Sequence, residues 1–151
     1  MDIELNCNNI KGNEKIEKLT NIDFVIPREK LLDFTECITL LTAETGIVSF
    51  DMEDFEKALK NFNKVRFFAF SGSDILSVTN DFCNYISPDI IGGNALVVIT
   101  SNSFSSEITR FIENSLESIT HNLAPHDIYY SIYEREASTG YSLYIFCTVP
   151  N

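Results

Sequence analysis

Glycine is scarce in this chain, six in 151 residues, and the sole adjacent pair is Gly92-Gly93. Phosphate cradles form where a glycine-rich turn opens a helix; this pair precedes a run that reads as a strand, so no phosphate loop is expected there. The four cysteines, Cys7, Cys37, Cys83 and Cys147, lie 30, 46 and 64 residues apart. No C-x-x-C spacing occurs, which excludes a zinc knuckle or dithiol pair of that type. Cys37, Cys83 and Cys147 sit among apolar neighbours and read as small core residues, with no disulfide framework expected. His121 and His126, the only histidines, read as helix-end and loop residues, and no metal or other cofactor is expected. Cations are few as well: 11 Lys and Arg against 22 Asp and Glu leave a net charge of -11. A nucleic acid or an anionic membrane demands a basic face, so neither is expected as a partner. No apolar run approaches the ~20 residues that span a bilayer. The stretch from Met1 to Lys18 lacks the apolar core of a signal peptide, and a cytoplasmic protein is expected.

What is present is ordinary globular material, 44% apolar and 22% charged, in a length that suits one domain. Residues 1–18 read as a weak strand and turn or a frayed end. Ile22 to Ile26 is a β-branched and aromatic run that stops at Pro27, a strand. Leu31 to Thr42 carries Leu31, Leu32, Phe34, Ile38 and Leu41, a helix ending near Gly46. A second helix starts at Asp51, with Met52, Phe55, Ala58, Leu59 and Phe62 on one face. Val65 to Phe70 and Ala95 to Ile99 are near-continuous apolar runs, as in strands covered on both sides. The helix between them carries Ile75, Leu76, Val78, Phe82 and Ile86 inward and ends at Ser87-Pro88. Phe104 to Thr120 has a stripe of Ile108, Phe111, Ile112, Leu116 and Ile119, with Ser103 as N-cap. Ile128 to Glu134 and Tyr141 to Val149 read as strands joined through Ala137 to Gly140 as an antiparallel hairpin. The fold class is therefore α+β, a mixed four-stranded sheet packed against helices.

One loop-to-helix junction carries the most chemistry. Gly46, Ser49, Asp51 and Asp54 stand in the frame G-x-x-S-x-D-x-x-D. An aspartate at a helix start with a second acid three positions on is what helix capping and the helix dipole favour. The same two carboxylates, presented at a helix N-terminus, suit polarising an attacking water. Both readings stand on the residues alone. Tyr129, Tyr130, Tyr133, Tyr141 and Tyr144 also cluster on the last two strands; period-two packing accounts for about half, and the outward ones suit an interaction face.

The frame from Gly46 to Phe55 resembles the catalytic loop of the tubulin/FtsZ family, G-x-x-N-x-D-x-x-D/E, whose acids act on the nucleotide of the neighbouring subunit in a filament. From about Phe34 to Pro150 the element order also resembles the C-terminal domain of that family. Arg66 to Ser73 falls where the family has a strand leading into a Gly/Ser turn, and Ala95 to Thr100 where it has an apolar strand ending in threonine. Ile22 to Leu32 resembles the last strand of its GTPase domain and the start of its central helix. The departures are as informative. The central helix is mostly deleted between Leu32 and Ile38, Ser49 replaces an asparagine, and the family's G-G-G-T-G-[ST]-G loop is absent.

The resemblance implies an N-terminal segment, 1–33, with a short strand, and an FtsZ/tubulin C-terminal-like domain, 34–151. With 45 residues before Gly46, no GTPase domain is expected. It implies a bacterial protein-interaction module that is no enzyme by itself and binds no nucleotide. The module would act on an FtsZ-like subunit through Gly46, Ser49, Asp51 and Asp54, capping a filament end or lending Asp51 and Asp54 in trans. Two alternatives stand beside it: a divergent domain that self-associates or binds an unrelated protein, and a small ligand-binding protein with intersubunit sites. The fold also resembles that of trimeric chorismate-mutase-like proteins, whose sites need convergent arginines. Arg28, Arg66, Arg110 and Arg135 are scattered along the chain and give such a pocket no support.

Overall fold

A computed structural model describes residues 1–7, 22–43, 52–59, 61–73, 75–102, 106–135 and 140–150. Six strands form one sheet: β1 (Asp2–Asn6), β2 (Asp23–Pro27), β3 (Lys64–Gly72), β4 (Ala95–Ser101), β5 (Ile128–Glu134) and β6 (Tyr141–Thr148). Among the described residues, four α-helices accompany them: α1 (Leu31–Ala43), α2 (Met52–Leu59), α3 (Ile75–Cys83) and α4 (Ser106–Leu123). The strand order is β1-β2-β3-β6-β4-β5. Pairs β2/β3 and β4/β5 are parallel; the other neighbours are antiparallel. The four expected strands share one mixed sheet, which β2 and β1 extend at one side.

The expected hairpin is not formed. β5 does not pair with β6; β5 lies parallel to β4, and β6 inserts between β3 and β4. Burial explains the choice. The six residues Leu143 to Thr148 are all buried, so β6 needs neighbours on both edges and layers on both faces. β5 is less apolar and exposes Tyr130, which an outer strand tolerates.

The two faces of the sheet carry separate cores. On one, Phe34 of α1 and Phe55 of α2 meet Phe24, Phe67 and Phe146. Ring centroids lie 5.2 Å apart for Phe34–Phe67 and 5.1 Å for Phe67–Phe146, distances at which aromatic pairs contribute about 0.5–1.5 kcal/mol beyond area burial. On the other face, Phe82 of α3 and Phe111 and Ile119 of α4 cover Val97, Ile99, Leu143 and Ile145. The stripe expected on the last helix packs inward through Phe111, Ile112, Leu116 and Ile119; the Ile108 side chain and Ser103 lie outside the described residues. α1 buries Phe34, Cys37, Ile38 and Leu40, whereas Leu31 and Leu32 of its expected stripe are exposed. α3 stops at Cys83, short of Ser87, and a 3-10 turn at Pro88–Ile90 follows.

Gly92-Gly93 does structural work. Gly92 takes φ +85°, where a side chain is strained, and a Cβ on Gly93 would lie 2.3 Å from the Thr148 carbonyl oxygen. That close approach lets the Asn94 N–H donate to Thr148 Oγ1 at 2.7 Å while Asn94 Nδ2 donates to the Ala58 carbonyl at 2.9 Å. The start of β4, the end of β6 and the last turn of α2 are thus tied together.

Candidate functional site

Of the four residues singled out at the acidic junction, Gly46, Ser49 and Asp51 lie outside the described residues. Asp54 is described: it is the third residue of α2 and half-buried. Its placement near the start of the helix gives a carboxylate the favourable end of the helix dipole. Phe55, Ala58 and Leu59 root α2 in the first core, and Glu56 and Lys57 face solvent. Past the helix, Asn61 takes φ 76°, a left-handed conformation that asparagine tolerates better than most residues. With the Ala58 carbonyl held by Asn94, the helix that carries Asp54 is anchored at its far end.

The tyrosines separate by face and depth. Tyr133 and Tyr144 are buried in the first core, with Tyr129 packed against it, and Tyr141 lies 4.8 Å from Phe111 on the other face. Tyr130 alone of the five is exposed. Burial, reinforced by the charges of Cys37, Glu36 and Asp33 and opposed by a bond from Ser142, pushes the Tyr144 hydroxyl up to about 12. Burial likewise raises the thiols of Cys37 and Cys147. Such cysteines are poor nucleophiles and poor metal ligands. Among the described residues no group of three or more His, Cys, Asp or Glu side chains could hold a metal ion. His126 Nδ1 meets Asp127 Oδ2 at 3.2 Å in an exposed contact. No described helix is long and apolar enough to cross a membrane.

A groove of about 520 Å³ opens on the second face of the sheet, beside β1, β2 and β3. Its floor is Val25 with Phe68 and Phe70; Tyr85 and Asp81 form one wall, and Glu29 and Lys30 another. Arg66 crosses it. The guanidinium Nε donates to Asp89 Oδ2 at 2.7 Å, and Nη1 lies 3.5 Å from Asp2 Oδ2. Burial alone would raise the Asp89 carboxyl, but the Ser87 hydroxyl and the Arg66 guanidinium outweigh it and hold the group below its ordinary value. Sequence reasoning missed this site. Its one visible sign was a charged residue, Arg66, within the otherwise apolar run from Val65 to Phe70; Asp2 and Asp89 are 64 and 23 residues from it. Arg66 is alone among the four arginines in lining the groove, so no arginine-rich pocket forms there.

No protein-family model matches the sequence, and no curated protein matches it. Solved structures do match. An FtsZ dimer from M. jannaschii superposes with a TM-score of 0.60 at 17% identity, over 95% of this chain and 49% of that one. A mutant FtsZ from M. jannaschii gives 0.61 at 14%, over 81% of this chain and 38% of the other. CetZ from Methanosaeta thermophila gives 0.53 at 16%, over 82% and 35%. This chain therefore spans less than half the length of the structures it matches. Identities this low speak for the fold alone, and by that measure the chain has the α+β fold of the FtsZ C-terminal domain.

Proposed function

We propose that this chain is a non-catalytic protein-interaction module of the tubulin/FtsZ type, docking on an FtsZ-like subunit through the segment from Gly46 to Phe55. The observation that carries the reading is the conjunction of fold and frame. The chain superposes on FtsZ over nearly all its length, and the G-x-x-S-x-D-x-x-D residues run directly into α2, which the core holds firmly. One of the matched FtsZ structures is a dimer, which supports subunit contact as the use of this fold. Short polar groups at a helix start suit hydrogen bonding across an interface better than burial in a core. In this reading Asp51 and Asp54 cap a filament end or complete a partner's site in trans. The 151 residues contain no glycine-rich loop to hold phosphates, and their negative charge opposes a polyphosphate, so the module binds no GTP by itself.

The test is GTP turnover and sedimentation of an FtsZ-like protein with and without the module. Asp51→Ala and Asp54→Ala should each reduce the module's effect on both readouts, and Glu113→Ala, on the exposed side of α4, should not. If the two aspartate variants lose folding stability but keep their effect on the partner, the acids are only a helix cap and the reading fails. Calorimetric titration of the module alone with GTP and magnesium should show no binding heat.

A further inference from the structure

The helix that carries Asp54, α2, and the groove lie on opposite faces of the sheet. α2 packs with Phe67 and Phe146 on the first face, whereas Arg66, Phe68 and Phe70 point from β3 to the second. The groove therefore needs an account of its own.

Its chemistry is specific. The floor is aromatic: Phe68 and Phe70 are only half-buried, although both pack against Phe82 beneath α3. Tyr85 leans on Phe70 with ring centroids 5.7 Å apart, yet stays 67% exposed. An aromatic ring left that open at the rim of an apolar floor is the residue type that dominates binding hot spots. The groove's ~520 Å³ falls within the range of ligand pockets and accommodates one or two side chains rather than a whole domain.

The charge around it is lopsided. Arg66 offers no free cation, because Asp89 and Asp2 both engage it. Beyond that cluster, the groove is lined by two carboxylates, Glu29 and Asp81, and a single amine, Lys30. An anionic ligand meets a surplus of carboxylates, in a chain whose net charge is already -11. A cation with an apolar stem meets the reverse: carboxylates at the rim and ring faces below, where ammonium and guanidinium groups are favoured.

We propose that this groove is a second docking site, one that takes a short segment of a partner protein bearing an apolar side chain flanked by Lys or Arg. The apolar side chain covers Phe68 and Phe70 beside Tyr85, and the flanking cations reach Asp81 and Glu29. The assignment does not depend on the acidic junction, and it holds whether or not that junction contacts an FtsZ-like subunit.

The test uses the full chain and two labelled peptides, Lys-Leu-Phe-Lys-Leu-Lys and Glu-Leu-Phe-Glu-Leu-Glu, followed by fluorescence anisotropy. The basic peptide should bind saturably and the acidic one should not, with affinity falling as salt rises. Tyr85→Ala should weaken the basic peptide about tenfold, as expected of a hot spot. The double variant Glu29→Gln with Asp81→Asn should weaken it about two- to fivefold, the range of exposed ion pairs. Asp54→Ala and Glu113→Ala should leave it unchanged. All these side chains are at least partly exposed, and thermal melts of each variant confirm that the fold is intact. Equal binding of both peptides, no binding of either, or an equal loss in Glu113→Ala would each overturn the assignment.

Discussion

Arg66 and Asp89 illustrate what single residues contribute here. Asp89 has its carboxyl held below the ordinary value, so the native state prefers the charged form more than the unfolded chain does. The resulting stabilisation is complete above the unfolded pKa, about 3.9, and is lost as pH falls through the lower native value. Because the pair is open to solvent on one side, its contribution is about 0.2–1 kcal/mol. Thermal melts should show Asp89→Asn less stable than the parent at pH 7, with the gap closing below about pH 4. Tyr144 works in the opposite direction. Its raised value favours the neutral hydroxyl in the native state, a contribution complete below the ordinary pKa of 10.0 and lost as pH climbs from there toward about 12. Alkaline melts should therefore lose stability across that window, and Tyr144→Phe, which removes the ionisable hydroxyl, should lessen the loss. The buried thiols of Cys37 and Cys147 should resist iodoacetamide at pH 8 in the folded protein and react once urea unfolds it.

Among the elements, β6 bears the most. It pairs with β3 on one side and β4 on the other and sends Tyr144 and Phe146 to one core, Leu143 and Ile145 to the other. Phe146 contacts Phe24, Phe34, Phe55 and Phe67, so truncating it leaves a cavity among four rings that cannot all close in. Phe146→Ala should cost about 3–5 kcal/mol, read as a lower urea midpoint with a similar slope. Gly93→Ala tests the end of the same strand: its Cβ would strike the Thr148 backbone, which cannot swing aside as a long side chain can. A loss of about 1–3 kcal/mol in the same urea titration is expected.

For the whole molecule, the sheet makes the first residues part of the same packing unit as the rest. β2 pairs with β3, and Phe24 and Ile26 join Phe34, Phe67 and Phe146 in one core. Removing residues 1–27 strips β1 and β2 and uncovers an edge of β3 together with that core. The shortened chain should lose its cooperative urea transition and near-ultraviolet circular dichroism, or aggregate. A shortened chain that unfolds cooperatively with unchanged midpoint would mean that residues 28–151 stand alone.

Much of this architecture is legible in the sequence. The 3.6-residue stripe of Phe111, Leu116 and Ile119, and the unbroken apolar runs Ala95 to Ile99 and Leu143 to Cys147, are local patterns, and local patterns specify which element forms and which side of it is buried. The likeness to the fold of the FtsZ C-terminal domain was legible too, through the order of elements. Strand partners were not legible. Proximity in sequence favours β5 beside β6, but two-sided burial of Leu143 to Thr148 is satisfied only at the middle of the sheet, and that competition involves β3 and β4 as much as β6. The groove was hidden for the same reason. Asp2, Arg66 and Asp89 carry no common motif and meet only because β1, β3 and the turn after α3 converge, so their chemistry exists only once the chain has closed on itself.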